Sequence, residues 1–500
     1  MYANLGFALL TAQARRAPDA VAVTHQGHGY TYDELDRRVN RRANALAAAG
    51  VAPGTRVASL LGDPLAITEL YLAQAKLGAV LVALNPYWTD DVLVAVVESS
   101  GSPVVLYDAV SAPVIKRIRD RLSGVRTWLR AEELSSDSDA PPPIGASGDD
   151  VFALFFTSGT TGLPKPVTYT HSIALAAANL WTDVPRPPGS AFGTGPIIWG
   201  VGFVAIACPA LLGGVRLVLE SDFGPAGFLA TVPRERITHV SVIPSFFAQL
   251  LSTDAHEGVD LDSIRIIMLG AEPLPRPLLE RIRTRLPNAL IYSYYGQTEA
   301  PYSCWARQDD GSVPLSSSGR ARTLGAARVV DAEGRRLVGE VGEIQLSGPH
   351  IMAGYDGLPE ATAAALRDGW FVGGDVGVLD ETGVLTVLGR REDAIRKKGA
   401  LTLPSTIEDA VLAMPGVAEA GVVGVPEHGE QKVLVAVVPR QGVELTPEAV
   451  TAHLTSLPPA AWPDLIVIAD ELPHANDASG GRGKLLRREI RTRWGGPLSP

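Results

Sequence analysis

The sequence predicts an α/β protein: a large N-terminal body of several subdomains with parallel-type sheets, including a small β-rich subdomain, followed by a small mobile α+β C-terminal domain. Three observations predict it. Short β-branched runs alternate with helical patterns over most of the chain, Gly turns join strand-like segments from about Ala326, and a charged connector at 389–398 precedes a last set of elements. Strand–helix alternation is typical of parallel sheets covered by helices. The expected domains are 1–391 and 392–500.

The individual elements follow from local patterns. Buried strands are predicted at 56–61, 79–84, 104–107, 215–219, 239–243 and 264–269, and helices at 31–49, 64–77, 114–123, 171–180, 245–251 and 275–286. Thr31 and Glu34 fit a capping box at the start of the first of these helices. In the C-terminal part a helix is predicted at 405–413 and strands at 421–425 and 433–438, while the polar segment 474–483 is expected to be a surface loop.

Composition excludes several classes of protein. Of 500 residues 46% are hydrophobic and 20% are charged, so a disordered chain is excluded. The 44 basic and 54 acidic residues give a net charge of −10, which argues against nucleic acid or an anionic membrane as partner. Two cysteines cannot build a disulfide framework or a zinc cluster, which favours a cytoplasmic location. No signal peptide or membrane-spanning run is expected.

The strongest chemical signal is FFTSGTTGLPK at 155–165. Glycines let backbone N–H groups crowd around an anion, and hydroxyls add donors to phosphate oxygens. The pattern is not a Walker A loop, which needs Gly-Lys-Ser/Thr at the start of a helix. An ordinary polar loop is the alternative. The candidate phosphate-binding residues are Thr157, Ser158, Gly159, Thr160, Thr161, Gly162 and Lys165.

The order SGTTGLPK resembles the phosphate loop of the adenylate-forming (ANL) superfamily, which includes acyl- and aryl-CoA synthetases, adenylation domains, luciferases and stand-alone amide bond synthetases. Four further segments resemble motifs of that superfamily. They are GAEPL at 270–274, YSYYGQTEA at 292–300, GWFVGGDVGVLDETGVLTVLGR at 369–390 and GRGKLLRREI at 481–490. Each segment by itself could have a purely structural role, but together the segments cover nearly the whole chain in the order of the superfamily.

The resemblance implies roles for the residues in these segments. Tyr295 would stack on adenine beside Gly296, and Asp375 would hold the ribose hydroxyls with Arg390 nearby. The loop beside the adenine would be Gly270, Ala271 and Glu272. The catalytic residues would be Thr298 at the α-phosphate, Glu299 as the Mg²⁺ ligand, and Lys484, which contacts the carboxylate and phosphate during adenylation.

The implied chemistry uses ATP and Mg²⁺ and needs no protein nucleophile. A carboxylate attacks the α-phosphate, pyrophosphate leaves, and a second nucleophile displaces AMP from the acyl-adenylate. Lysine, Mg²⁺ and hydroxyl donors stabilise the charge that develops on the phosphate oxygens. In the superfamily the C-terminal domain rotates between the two steps, and Glu392 matches the hinge residue best.

The acid pocket departs from the patterns of the superfamily. Trp199 stands about where acyl-CoA synthetases have a histidine, and no aspartate is visible between Trp199 and Pro209 to hold an α-ammonium group. Because a buried unpaired cation is costly, an α-amino acid is disfavoured. Trp199, Phe203 and Phe246 predict an apolar pocket for an aryl or fatty acid, and an ordinary core is an equally weighted interpretation of the same residues.

The sequence is compatible with several molecules as the acceptor of the acyl group. CoA is the first expectation for a chain of this length, as a co-substrate beside a small-molecule carboxylic acid. Direct transfer to an amine is the alternative, favoured by Trp199 and by Ala400, which stands where CoA ligases frequently have an acidic residue. A carrier protein acting in trans is a further possibility. A hypothesis of another class is a nucleotide-binding protein without catalytic turnover.

Overall fold

The structure is a computed structural model that describes residues 4–143, 145–157, 163–181, 184–186, 189–194, 202–221, 224–308, 310–315, 317–322, 325–427, 429–440, 442–476 and 482–496. For residues 194, 475–476 and 482–484 it describes the backbone alone. Helical and extended segments alternate through the first 300 residues, as the sequence predicts.

The strands and helices are numbered in chain order. The strands are β1 Val21–His25, β2 His28–Thr31, β3 Arg56–Leu60, β4 Val80–Ala83, β5 Val104–Tyr107, β6 Thr127–Arg130, β7 Val151–Phe156, β8 Pro166–Thr170, β9 Ala191–Thr194, β10 Arg216–Leu219, β11 His239–Val242, β12 Ile266–Gly270, β13 Leu290–Gln297, β14 Ala300–Arg307, β15 Arg320–Ala321, β16 Ala326–Val330, β17 Arg336–Leu337, β18 Val341–Ser347, β19 Gly354–Tyr355, β20 Leu366–Arg367, β21 Trp370–Leu379, β22 Leu385–Arg390, β23 Ile395–Lys397, β24 Ala400–Thr402, β25 Val417–Glu427, β26 Glu430–Pro439, β27 Leu465–Ile468, β28 His474–Asn476 and β29 Arg482–Leu485. The α-helices are α1 Ala12–Arg16, α2 Tyr32–Ala48, α3 Pro64–Leu77, α4 Asp90–Ser100, α5 Ala112–Ile118, α6 His171–Asn179, α7 Cys208–Leu212, α8 Pro225–Glu235, α9 Pro244–Leu250, α10 Arg276–Arg285, α11 Pro359–Ala365, α12 Pro404–Leu412, α13 Pro447–His453 and α14 Arg487–Trp494.

Two large sheets form the body. One has nine strands in the order β15-β14-β13-β12-β11-β9-β10-β1-β2, and the other has seven in the order β19-β8-β7-β4-β3-β5-β6. The inner strands pair in parallel, and antiparallel pairs occur towards the edges at β1–β2, β13–β14 and β7–β8. Because helices cover both faces of a parallel sheet, the strands of such a sheet are continuous apolar runs in the sequence. The predicted parallel architecture is confirmed.

Local chemistry sets the ends of the helices that pack between these sheets. The Thr31 side chain accepts from the Glu34 backbone N–H while the Glu34 carboxylate accepts from the Thr31 N–H, so the predicted capping box is present. Helix α3 begins with Asp63 as its cap and Pro64 in its first turn, and it ends at Gly78 with φ of +79°. Its side chains are buried on every face except at Ala66, because one core joins both sheets around it.

Buried charges in this region are paired. Lys76 on α3 has no exposed surface, and its Nζ lies 2.5 Å from Oδ1 of Asp36 and 2.7 Å from Oδ1 of Asn40 on α2. Glu69, 1% exposed, accepts from Arg38 and Arg42. Pairing of this kind offsets the desolvation cost of a buried ion.

The remaining elements match the predicted smaller units. Strands β16, β17, β18, β20, β21 and β22 form an antiparallel sheet, which confirms the β-rich subdomain. In the C-terminal part β25, β26 and β27 form a sheet packed against α12 and α14. The segment expected to be a loop is partly strand, because β28 pairs with β29 in an antiparallel hairpin. The fold class is confirmed, and the boundary at 391/392 stays a prediction.

No helix within the described residues has both the length and the apolar character that a membrane span requires.

Candidate active site

The predicted phosphate loop connects β7 and β8. Its two ends are held together, because the Thr157 N–H donates to the Lys165 carbonyl at 3.2 Å and the Lys165 N–H donates to Oγ1 of Thr157 at 3.3 Å. Pro166 begins β8, a strand position that tolerates a missing N–H. The Lys165 ammonium lies 5.1 Å from the ring centroid of Tyr355. Ser158, Gly159, Thr160, Thr161 and Gly162 lie outside the described residues.

Asp375 lies at the centre of a hydrogen-bonded group that includes two predicted nucleotide-binding residues. Its Oδ2 accepts from the Tyr295 hydroxyl at 2.7 Å and from Nε2 of Gln297 at 2.6 Å. Its Oδ1 lies 3.0 Å from Nε of Arg390, its direct cross-strand partner on β22. Burial, followed by the charge of Asp375, raises the pKa of the Tyr295 phenol well above its ordinary value. The phenol therefore stays a hydrogen-bond donor.

Gln297 is a site residue that the sequence interpretation missed. Its amide occupies the space where a Cβ on Gly373 would lie, 2.3 Å from Nε2. Glycine at position 373 therefore lets the amide reach Asp375. A signal existed in the sequence, because Gln297 stands two residues after Tyr295 and alternate strand residues share a face.

The turn after β13 carries the predicted catalytic pair. Glu299 is 7% exposed, and its Oε1 accepts from the Tyr355 hydroxyl at 2.7 Å. The Thr298 carbonyl accepts from the Tyr169 hydroxyl at 2.6 Å, and the Glu299 carbonyl accepts from the Met352 N–H at 2.9 Å. The turn is thus fixed through β8 and the segment before β19. No sequence signal identified Tyr355 as a site residue.

The loop beside the predicted adenine site is sterically constrained. A Cβ on Gly270 would lie 2.5 Å from the Tyr294 ring, so only glycine fits there. Ala271 has φ of +65°, an uncommon left-handed conformation for a residue with a side chain. The Glu272 carboxylate accepts from the Ser245 N–H at 3.1 Å, which ties the loop to α9. These residues lie at the carboxyl ends of parallel strands, where α/β proteins bind ligands.

The structure describes two of the three residues predicted to line the acid pocket. Trp199 lies outside the described residues. Phe203 has no exposed surface and packs against Tyr71 and Phe152 at ring-centroid distances of 5.2 and 6.5 Å, which fits the core interpretation, and its assignment to the pocket stays a prediction. Phe246, 6% exposed, packs against two other phenylalanines, which also fits the core interpretation.

Lys484 lies in β29, and of this residue the backbone alone is described. Strand β29 lies against α9, whose first turn contacts Glu272. The predicted hinge residue, Glu392, is exposed in a short 3₁₀ turn, Arg391–Asp393, between the body and β23. Its neighbour Arg391 forms an ion pair of 2.8 Å with Glu343 on β18.

Two family models match the chain. One described as "AMP-binding enzyme" matches residues 10–356, and one described as "AMP-binding enzyme C-terminal domain" matches residues 406–479. The chain therefore belongs to the AMP-binding enzyme family of the adenylate-forming superfamily. It is an ATP-dependent acid ligase that forms an acyl-adenylate, so the hypothesis of a nucleotide-binding protein without turnover is wrong.

Individual proteins resemble the chain over its whole length. Feruloyl-CoA synthase from Amycolatopsis sp. is 34% identical over 489 residues, covering 97% of this chain and 98% of that protein. ATP-bound MatB from Rhodopseudomonas palustris has a TM-score of 0.90 and 27% identity, with 100% of both chains covered. The amide bond synthetase McbA from Marinactinospora thermotolerans has a TM-score of 0.87 and 27% identity, covering 97% of this chain and 99% of that chain.

Proposed function

We propose that this ligase activates a hydrophobic carboxylic acid, aryl or fatty, as acyl-AMP and transfers the acyl group to CoA. The observation that carries the adenylation half is the arrangement around the turn after β13. Tyr295, near the end of β13, contacts Asp375, while Glu299 in the turn contacts Tyr355, whose ring lies 5.1 Å from the Lys165 ammonium. The CoA half is supported by full-length similarity to a protein named feruloyl-CoA synthase.

In this proposal one group of residues binds the nucleoside end of ATP and another binds its phosphates. Asp375, held by three donors, would accept from the ribose hydroxyls, and Tyr295 would lie against the adenine. Thr157 and Lys165 would meet the phosphates at the opposite end. The acid carboxylate attacks the α-phosphorus and the bond to the β-phosphate oxygen breaks, giving acyl-AMP and pyrophosphate. The CoA thiol then loses its proton and attacks the acyl carbon, releasing AMP.

Glu299 fits a magnesium ligand. It is a buried carboxylate that has no Lys or Arg partner within the part of the chain that the structure describes, and there it accepts a side-chain hydrogen bond from the Tyr355 hydroxyl. Magnesium commonly binds through one or two carboxylates together with substrate phosphates. When bound, Mg²⁺ would offset the charge of the triphosphate. Tyr355 would hold the carboxylate in place.

The C-terminal domain would supply Lys484 for the first step. Its strand lies against α9, close to the body, as adenylation requires. Rotation about Glu392 would then withdraw Lys484 and admit the acceptor. Val376, Leu388, Ala394 and Leu403 form a small apolar cluster between β21 and β22 of the body and the start of α12, on either side of this proposed hinge.

An amine is the second candidate acceptor. The structural likeness to an amide bond synthetase supports it, as does Ala400, which is exposed in the β23–β24 hairpin. The side chain at this position is therefore uncharged, unlike the acidic residue that CoA ligases frequently have there. A carrier protein in trans is a third.

Mass spectrometry of the products distinguishes these acceptors. The protein is incubated with ATP, Mg²⁺ and a panel of aryl and fatty acids, with CoA in one arm and simple amines in the other. The expected result is an acyl-CoA formed together with AMP and pyrophosphate. An amide formed without CoA, and no thioester in the CoA arm, would overturn CoA as the acceptor.

A further inference from the structure

An open cavity of about 520 Å³ lies at the amino ends of four strands of the nine-stranded sheet. Arg216 begins β10, Thr238 and Arg265 directly precede β11 and β12, and Gly189 lies shortly before β9. The C-terminal end of α8 borders the cavity. Its volume lies within the range of small-molecule pockets, about 300–1,000 Å³. Four of the lining residues are arginines, and the site is here called the arginine cavity: Arg216, Arg234, Arg236 and Arg265.

The arginine cavity is separate from the predicted nucleotide site. Strand β12 runs from the cavity, where Arg265 precedes it, to the adenine loop, where Ala271 follows it. At about 3.3 Å per residue, these two residues lie roughly 20 Å apart along the strand. The neighbouring strands run parallel to β12, so their carboxyl ends lie at the edge of the sheet that carries the predicted adenine residues. The cavity lies at the opposite edge.

Two of the four arginines have acidic partners within the protein. Both oxygens of the Glu235 carboxylate are occupied, since Oε2 lies 2.9 Å from Nη1 of Arg216 and Oε1 lies 3.2 Å from Nε of Arg234. Arg234 also contacts the Glu220 carboxylate, and its place in the last turn of α8 suits the helix dipole. The positions of these two arginines therefore need no ligand to explain them.

The other two arginines have no carboxylate partner among the described residues. The Arg265 guanidinium donates to the backbone carbonyls of Asp262 and Ile264, which leave its charge uncompensated. The Arg236 side chain makes no hydrogen bond or ion pair within the part of the chain that the structure describes. In a chain with a net charge of −10, two unpaired arginines in one cavity create a local positive potential that attracts anions.

Two further observations at this cavity point to a ligand. Arg236 follows the last turn of α8 with φ of +51°, a left-handed conformation that favours glycine at the end of a helix. Among the described residues no contact of its side chain offsets that conformational cost, and such strain is typical of functional positions. Oγ of Ser263, which lines the same cavity, is buried and has no hydrogen-bond partner among the described residues. An anion oxygen would supply the partner that this hydroxyl lacks.

We propose that the arginine cavity binds a compact phosphate anion with two or more negative charges, such as inorganic pyrophosphate, at a site separate from the active site. Arg236 and Arg265 would donate to its oxygens, because the planar guanidinium group matches the geometry of phosphate, and Ser263 would add its hydroxyl. The lining residues include no aromatic side chain on which a base could stack, which favours an inorganic anion over a nucleotide. The inference does not depend on the identity of the acid or of the acceptor.

The test is calorimetric titration of pyrophosphate into the full-length protein at low salt, without ATP or Mg²⁺. Arg236→Gly and Arg265→Gln are each expected to weaken binding about tenfold, the effect of one hydrogen bond to a charged group, and the double variant should lose it. Arg276→Ala, which removes an exposed arginine from α10 outside the cavity, is the matched control and should bind as the wild type does.

Thermal unfolding separates loss of the ligand from loss of the fold. Because glycine adopts the left-handed conformation without strain, Arg236→Gly should have an apparent Tm equal to or above that of the wild type in the absence of pyrophosphate. The rise in Tm that pyrophosphate causes should nevertheless shrink in this variant. A lower Tm of Arg236→Gly without the anion, together with an unchanged rise on adding it, would show that the arginine is structural and would overturn the inference.

Lys165→Ala distinguishes the arginine cavity from the phosphate loop, since it should leave pyrophosphate binding at the cavity intact. Binding that is lost in Lys165→Ala and unchanged in the double variant would place the anion in the active site and overturn the inference. Absence of binding to the wild type would overturn it as well. A parallel titration uses ADP: tighter binding of ADP than of pyrophosphate, lost in the double variant, would identify a nucleotide site and contradict the assignment of an inorganic anion.

Discussion

The phenolic hydroxyl of Tyr355 donates a hydrogen bond of 2.7 Å to Oε1 of Glu299, 56 residues earlier in the chain. Tyr355 lies in β19, which pairs with β8, and the next residue, Asp356, accepts from Arg56 through both carboxylate oxygens at 2.8 Å. The tyrosine is therefore held by the seven-stranded sheet, while Glu299 belongs to the nine-stranded one. This contact links the proposed metal ligand to the strand that follows the phosphate loop.

Removal of this hydroxyl tests the magnesium assignment. In Tyr355→Phe the Glu299 carboxylate loses a donor, and a hydrogen bond to a charged group contributes about 1.5–3 kcal/mol. We expect the Mg²⁺ concentration for half-maximal pyrophosphate release to rise about tenfold or more. Calorimetric titration of Mg²⁺ into the protein with a non-hydrolysable ATP analogue should show the same shift. The reference is Tyr32→Phe, which removes a buried hydroxyl that donates to the Leu211 carbonyl, and an unchanged Mg²⁺ requirement in Tyr355→Phe would contradict the role of Tyr355.

Gln297 is expected to act on ATP binding through Asp375. Oδ2 of Asp375 accepts from two side chains, Tyr295 and Gln297, and Gln297→Leu leaves only the Tyr295 hydroxyl of these two. The carboxylate can then turn away from the ribose. Loss of one such hydrogen bond, about 1 kcal/mol, predicts a KM for ATP raised about fivefold. The KM for the acid and kcat should be unchanged. Steady-state kinetics with each substrate varied gives the answer, and a fall in kcat at constant KM would contradict it.

Substitution of Lys484 separates the two half-reactions. Lys484→Ala should abolish acid-dependent pyrophosphate release and leave ATP binding largely intact, because the lysine is assigned to the charge that develops during adenylation. The variant should still convert chemically prepared acyl-AMP and CoA into acyl-CoA. Pyrophosphate release at the wild-type rate would show that another cation serves this step. Lys432→Ala is a suitable control, since Lys432 pairs with Glu427 on the surface of the same domain.

A buried histidine predicts how stability changes with pH. His25 Nε2 lies 3.2 Å from Asp63, the cap of α3, and its Nδ1 lies 3.2 Å from the Leu219 carbonyl. The hydrogen bond to Asp63 raises the pKa of His25 above 6.5, against the opposing effect of burial, and Glu220 adds to the rise. This stabilisation is fully present below pH 6.5 and is lost as the pH rises through the pKa of the folded protein.

The corresponding measurement compares the apparent Tm of wild type and His25→Gln between pH 6 and pH 9. The wild type should exceed the variant most at pH 6, and the difference should shrink towards pH 9, because glutamine does not titrate. The activity of the variant at saturating substrate should stay close to that of the wild type, since none of the contacts of His25 is with a predicted site residue. A difference in Tm that is constant across this range would contradict the assignment.

Several elements were predictable because their causes are local. Neighbouring residues are enough to predict the capping box at Thr31 and Glu34, and the same holds for the apolar runs of β3, β4 and β12. Phe203 is the opposite case, because an aromatic side chain suits a core and a pocket equally, and its contacts with Tyr71 and Phe152 form only in the folded chain. The predicted loop at 474–483 failed because pairing between β28 and β29 overrides polar composition.

The sequence by itself determined the adenylate-forming chemistry, since the residues assigned to phosphate, ribose and metal occur in short contiguous motifs. Tertiary structure alone decided what holds those residues. Asp375 on β21 meets Tyr295 and Gln297 on β13, about 80 residues away, across two different sheets, and Glu299 meets Tyr355 across two sheets as well. No contiguous motif encodes a distance between segments that meet only in the folded chain.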